Sequence, residues 1–258
     1  MEHGHGHEHG HDHGHDHGHE HGPFDRHRNP VDFERYLGKL ENPDRDAWQM
    51  PDRVVEALAL RPGDVACDVG TGPGYLALRM ARAVGPSGAV YAIDVDPRMI
   101  EVIERRMVQS GVENVHPILS AEGRVALPPR RCKVILVVNT FHHFPDGAAY
   151  LKRLSGRLTH DGRIVVVDFH RRKLPVGPPP DHKLSRTDVA ASARRAGLEV
   201  VRERRFLPYQ YFLELAPVRA PRRGPAAGSS RGRVRGATPR PRPAPSRGGR
   251  RRAARSTR

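Results

Sequence analysis

Cysteine is scarce in this chain: Cys67 and Cys132 are the only two among 258 residues. So few exclude a disulfide scaffold of the small secreted kind, and without a C-x-x-C pair they exclude a cysteine zinc site. Each sits in or beside an apolar run that reads as a strand, so both are expected as buried structural thiols. Aromatic residues make up 5% of the chain, with Trp48 the one tryptophan. No apolar run approaches the ~20 residues of a membrane span. The N-terminus has no apolar core of the secretory type. The expectation is a cytoplasmic protein with no membrane contact.

Large apolar residues are almost missing from both ends. Residues 1–22 alternate histidine (His3, His5, His7, His9, His11, His13, His15, His17, His19, His21) with Gly, Glu and Asp. Residues 217–258 are mostly Arg, Pro, Gly, Ala and Ser, with two Val, two Thr and no acid. Neither end can bury enough apolar surface to offset chain entropy, so both are expected to be disordered. The formal charge of +15 divides unevenly. The fourteen arginines beyond residue 218 give the tail +14, and five acids give residues 1–22 a charge of −5, which leaves the middle at +6. The middle is therefore only mildly basic.

That middle, roughly 195 residues, suits one α/β domain. Residues 23–50 read as a loosely structured arm with a short helix near 30–40, and residues 51–216 as the domain. Pro51 opens a helix, as proline does at a first helical position. Alternation follows: a strand at 65–69, a helix from Gly74 to about Val84, a strand at 89–94 and a helix from Pro97 to about Gly111. Further strands are expected at 115–119, 133–139 and 163–169, with a helix at 147–158 and a turn at Asp161-Gly162. Ser185 caps a helix that Gly197 stops. Continuous apolar strands separated by helices indicate a parallel sheet covered on both faces. The last two runs, 198–204 and 206–215, leave no room for a crossover helix and read as an antiparallel pair at the edge.

The most informative stretch is Asp68-Val69-Gly70-Thr71-Gly72-Pro73-Gly74. An acid at a strand end, alternating glycines and then a helix make a nucleotide-type cofactor loop. Glycine lets a ligand approach without meeting a Cβ, and the helix that follows offers free N–H groups. A second acid, Asp94, lies 20 residues beyond Gly74 at the end of the next strand, where a carboxylate can take two ribose hydroxyls. A dinucleotide-binding dehydrogenase would carry G-x-G-x-x-G; this chain carries G-x-G-x-G.

The loop resembles motif I of the class I S-adenosylmethionine-dependent methyltransferases, and the order of later features is similar. Asp94 matches the family's ribose acid. Ser120-Ala121-Glu122 stands where the family approaches the adenine. Val138-Asn139-Thr140-Phe141 resembles the fourth-strand motif beside the methyl donor. Leu158-Thr159-His160-Asp161-Gly162-Arg163 is similar to the turn before strand five. The resemblance covers residues 48–215 and implies a doubly wound, Rossmann-like sheet of order 3-2-1-4-5-7-6 with its last strand antiparallel. It implies S-adenosylmethionine as cofactor, bound by Asp68, Gly70, Thr71, Gly72, Gly74, Asp94, Ala121, Glu122 and Asn139.

The acceptor is less legible. His142 and His143 follow the fourth strand, at the rim, and either is a candidate general base. The aromatics Phe206, Tyr209, Tyr211 and Phe212 fit edge-strand core packing better than an acceptor pocket. Residues 178–182 are expected as a stiff loop over the entrance. A small-molecule acceptor is expected, since no added recognition module is visible. The alternatives are an RNA or protein methyltransferase that uses the Arg tail, or a non-catalytic metal- or nucleic-acid-binding protein on a vestigial fold. The His tract can ligate Ni²⁺ or Zn²⁺ weakly and exchangeably, and the Arg tail can contact polyanions nonspecifically.

Overall fold

A parallel strand buried on both faces has no solvent side, so its sequence is apolar throughout. β1 (Val65–Val69), β4 (Cys132–Val138) and the second half of β5 (Leu158–Phe169) come close to this, with Asp68, Lys133 and Asp168 as the charged exceptions, and the three strands form the centre of a seven-stranded sheet. The computed structural model describes residues 32–121, 124, 126–129 and 131–219. Beside β1 lie β2 (Ala89–Asp94) and then β3 (Val115–Leu119); beyond β5 lie β7 (Gln210–Pro217) and then β6 (Leu198–Arg204). The order is 3-2-1-4-5-7-6, and β7 runs antiparallel to both its neighbours. Both the order and the antiparallel edge are as expected.

Alternate residues of the central strands feed two cores. Val134 and Leu136 of β4 and Val165 and Val167 of β5 face α3 (Pro51–Ala57), α4 (Ala77–Val84) and α5 (Pro97–Ser110). Ile135, Val137 and Val166 face α6 (Gly147–Ser155) and α7 (Arg186–Arg195). Helix starts follow local capping chemistry. Asp96 caps α5 and Asp146 caps α6. Ser185 and Asp188 form a reciprocal capping box at α7. Strand order reverses between β1 and β4, which opens a crevice at the carboxyl ends of the strands.

The structure corrects several expectations. The arm holds two helices, α1 (Phe33–Leu40) and α2 (Asp44–Gln49), rather than one. α4 starts at Ala77, three residues after Gly74. The segment 158–163 is not a free turn but the first part of β5, where four residues (159–162) bulge opposite the single Lys133 of β4. A Cβ on Gly162 would lie 2.7 Å from the Cys132 carbonyl oxygen, so only glycine fits that bulge. Cys67 and Cys132 are buried as expected, but they are joined as a disulfide with Cα atoms 6.2 Å apart. The two lie 65 residues apart and meet because β1 and β4 are neighbours, a relation their spacing does not reveal. Tyr211 and Phe212 pack in the core as expected. Among the described residues no helix is long and apolar enough to cross a membrane. The His tract and the Arg tail lie outside the described residues.

Candidate active site

The loop after β1 is built around left-handed glycines. Gly70 has φ +69°, and a Cβ there would lie 2.3 Å from the Thr140 side chain, so the end of β4 packs against bare backbone. The Gly70 and Thr71 amides both donate to the Ile93 carbonyl, at 2.9 and 3.0 Å, tying the loop to β2. Asp68 sits beneath the loop, 2% exposed. Its carboxyl accepts from Thr71 Oγ1 at 2.8 Å and from the backbone of Ala77, the first residue of α4. Asp68 therefore occupies the helix start that the sequence offered to a ligand, and it shapes the loop from below.

Burial pushes the Asp68 carboxyl up to about 6, against the pull of the Thr71 hydrogen bond; Asp94 pushes it up further and Arg45 pulls it down. The folded chain thus holds this proton more tightly than the unfolded chain does. The resulting stability is fully present below the ordinary value of 3.8 and is lost as pH rises through about 6. An Asp68→Asn chain does not titrate here. Relative to it, the native chain should lose on the order of 2–3 kcal/mol between pH 4 and pH 7. Urea unfolding of both at each pH checks this; parallel curves would refute it.

Asp94, at the end of β2, is oriented by backbone. Its Oδ2 accepts from the Gly72 amide at 2.8 Å, and its Oδ1 accepts from Val95 at 2.8 Å and Asp96 at 3.1 Å. Burial raises its pKa, although those three bonds oppose the rise. Beyond it, the Ser120 amide donates to the Asp94 carbonyl at 2.9 Å, which sets Ser120 and Ala121 at the same rim. Glu122 lies outside the described residues.

β4 ends in a left-handed Asn139, φ +53°. Its amide belongs to a closed ring of three. Gln49 donates to Gln210 at 2.8 Å, Gln210 to Asn139 at 2.6 Å, and Asn139 to Gln49 at 3.3 Å. Gln49 and Gln210 are 0% and 1% exposed, so each depends on the others for hydrogen bonds. The ring joins α2, the end of β4 and the start of β7. It has no local signature, because its members lie up to 161 residues apart.

Past Asn139, a single helical turn at Phe141–His143 carries the two candidate bases. They are not equivalent. His143 lies on the cavity wall and His142 does not. His142 Nδ1 is 2.9 Å from Asp168 Oδ2, with side-chain exposures of 7% and 1%. An ionised Asp168 holds the proton on Nδ1 and leaves the Nε2 lone pair free to accept. The two rings are 4.1 Å apart.

These parts surround one cavity of about 850 Å³. Gly70, Thr71, Gly72, Asp94, Ala121 and Asn139 lie on its wall; Asp68 and Gly74 do not. Tyr36, Leu40 and Arg45 of the arm complete the wall, a contribution the loosely structured reading of residues 23–50 missed. Residues 178–182 and the edge-strand aromatics do not reach it. The cavity sits at the switch point, joins the Asp94 carboxyl to a bare-backbone loop, and leaves apolar walls at Phe144 and Tyr150.

A family model described as a methyltransferase domain matches residues 60–201, more than half of the chain. The chain belongs to the class I S-adenosylmethionine-dependent methyltransferase family. The structure is similar to that of a SAM-dependent methyltransferase from Aquifex aeolicus, with a TM-score of 0.67 and 27% identity, covering 70% of this chain and 96% of that one. Aklanonic acid methyltransferase DauC from Streptomyces sp. (strain C5) is 27% identical over 132 residues, 50% of this chain and 60% of the relative. Protein-L-isoaspartate O-methyltransferase from Ignicoccus hospitalis is 43% identical over 76 residues, 30% of this chain and 36% of the relative. The chain thus spans between about a third and three-fifths of these two curated methyltransferases.

Proposed function

We propose that this chain transfers a methyl group from S-adenosylmethionine to a small-molecule acceptor, with residues 51–216 as the donor-binding domain. The observation that carries this reading is the single cavity in which Asp94, Gly72, Ala121 and Asn139 share a wall. Its residues fit the donor. Asp94 has a carboxylate at the rim for two ribose hydroxyls, and the loop admits a ligand against bare backbone. Asp94, Asp96 and Asp146 share the wall with Arg45, Arg124 and Arg153, so a ligand carrying a sulfonium, an ammonium and a carboxylate would find partners of both signs. When bound, S-adenosylmethionine supplies a methyl group already activated toward nucleophiles. At about 850 Å³ the cavity is at the upper end for one ligand, and so leaves space for a small acceptor.

The chain's own work is alignment and exclusion of water. Where the acceptor carries a proton, His143 is placed to take it from the wall, and His142 is the alternative, held in an accepting tautomer by Asp168. Combined His142→Ala and His143→Ala substitution should lower kcat about 100-fold or more and remove the acidic limb of the pH–rate profile. An unchanged profile would remove both from catalysis.

The small-molecule acceptor is supported by the DauC match, which is longer than the match to the protein-modifying relative. Incubation with methyl-labelled donor and cell extract should place label in the small-molecule fraction. Label in protein or RNA would transfer the reading to those acceptors, and no label above a Gly72→Arg control would favour a non-catalytic role. Composition alone supports weak Ni²⁺ or Zn²⁺ binding by the His tract and nonspecific polyanion contact by the Arg tail.

A further inference from the structure

Three arginines lie on the cavity wall: Arg45, Arg124 and Arg153. The last two are exposed. Arg124 follows Ala121 at the rim beyond Asp94, and Arg153 is on α6. Arg45 differs in every respect. It comes from α2 of the arm, its guanidinium carbon stands 4.1 Å from the centre of the Tyr75 ring, and burial lowers its pKa. Among the described residues its five N–H donors make one hydrogen bond, from Nη1 to the Leu40 carbonyl at 2.8 Å. Nε is buried and has no partner among the described residues. Asp68 and Tyr36 are close enough to act on its charge, yet it forms no ion pair with Asp68. The side chain is half-buried, with Nε shut off from solvent and the guanidinium on the cavity wall, so a ligand there would meet unused N–H groups.

The ligand proposed for this cavity has one anionic group. Its sulfonium and ammonium can be matched by the wall carboxyls of Asp94, Asp96 and Asp146, whereas its α-carboxylate needs a cation. The nucleoside end is fixed at β2 and β3 by Asp94 and Ala121, so the amino-acid end extends toward β1 and β4. Of the wall cations on that side, Arg153 of α6 is exposed, whereas Arg45 is held over the Tyr75 ring, just past the loop that follows β1. We propose that Arg45 binds the α-carboxylate of the methyl donor, so that the N-terminal arm reads the amino-acid end of the ligand while the sheet reads the nucleoside end. The inference rests on the donor reading above. It explains why a short, polar arm helix is anchored so firmly: the Gln49–Gln210–Asn139 ring on the same helix fixes α2 against β4 and β7.

A ligand-side and a protein-side deletion together test it. S-adenosylhomocysteine and its decarboxylated analogue, which keeps the ammonium, are titrated calorimetrically into the full chain and into an Arg45→Met variant. A charge-assisted bidentate contact of this kind corresponds to roughly 10- to 100-fold in affinity. The native chain should prefer S-adenosylhomocysteine over the analogue by that factor. In Arg45→Met the preference should fall to within about threefold, with the analogue's affinity little changed. An Arg45→Lys variant, which keeps the charge without the fork, should retain an intermediate preference. Equal affinity of the native chain for both ligands, or an unchanged preference in Arg45→Met, would overturn the assignment. So would an equal loss for both ligands, because a merely structural arginine produces that. Failure of the native chain to bind either ligand would instead bring down the donor reading itself.

Discussion

A Gly72→Arg chain is expected to fold and to lose donor binding by about a thousandfold or more, on the order of 4 kcal/mol. Gly72 lies on the cavity wall, and a Cβ there meets nothing closer than Leu40 Cδ1 at 3.6 Å, an ordinary contact. The new side chain has the cavity to enter and no core to disturb, apart from about 1 kcal/mol for a φ of +54°. Gly70 is the contrast. Its Cβ would overlap Thr140, so even Gly70→Ala must move β4 or the loop, at about 1–3 kcal/mol of overpacking on top of the backbone cost. Thermal unfolding with S-adenosylhomocysteine titration separates the two. Gly72→Arg should melt near the native temperature and bind nothing, whereas Gly70→Ala should melt well below it.

Asp94→Ala should weaken donor binding by about 100-fold and also loosen the loop. The carboxylate would hold two ribose hydroxyls, and it already accepts from the amides of Gly72, Val95 and Asp96. Alanine leaves all three donors without that acceptor, at about 1–3 kcal/mol for each one that stays buried. Asp94→Asn retains one oxygen, which can serve either Gly72 or the Val95–Asp96 pair but not both. It should therefore fall between alanine and the native chain in both stability and affinity. A full-affinity Asp94→Ala chain would remove the ribose role.

The sheet was legible because a doubly covered strand must be apolar at every position. Val65–Val69, Ala89–Asp94 and Val115–Leu119 lie where periodicity puts them. Asp94 was legible because the distance from the loop to the second strand end is fixed by one strand and one helix. What escaped the sequence depends on contacts between distant segments. The loop that precedes α4 is held from β2, through the Ile93 carbonyl, and from Asp68, through Thr71. The Cys67–Cys132 bond, the Gln49–Gln210–Asn139 ring and the reach of Arg45 into the cavity all follow from neighbours set by topology. None has a local signature, and the polar composition of residues 23–50 pointed away from a packed helix that lines the site. The difference between His142 and His143 also depends on a partner, Asp168, on another strand.

The central claim is that this cavity is a methyl-donor site. Calorimetric titration of the full native chain with S-adenosylhomocysteine tests it most directly, with Gly72→Arg as the folded control. The account predicts one saturable site per chain for the native protein and none for the control. Absence of saturable binding by the native chain, or equal binding by both proteins, would contradict it.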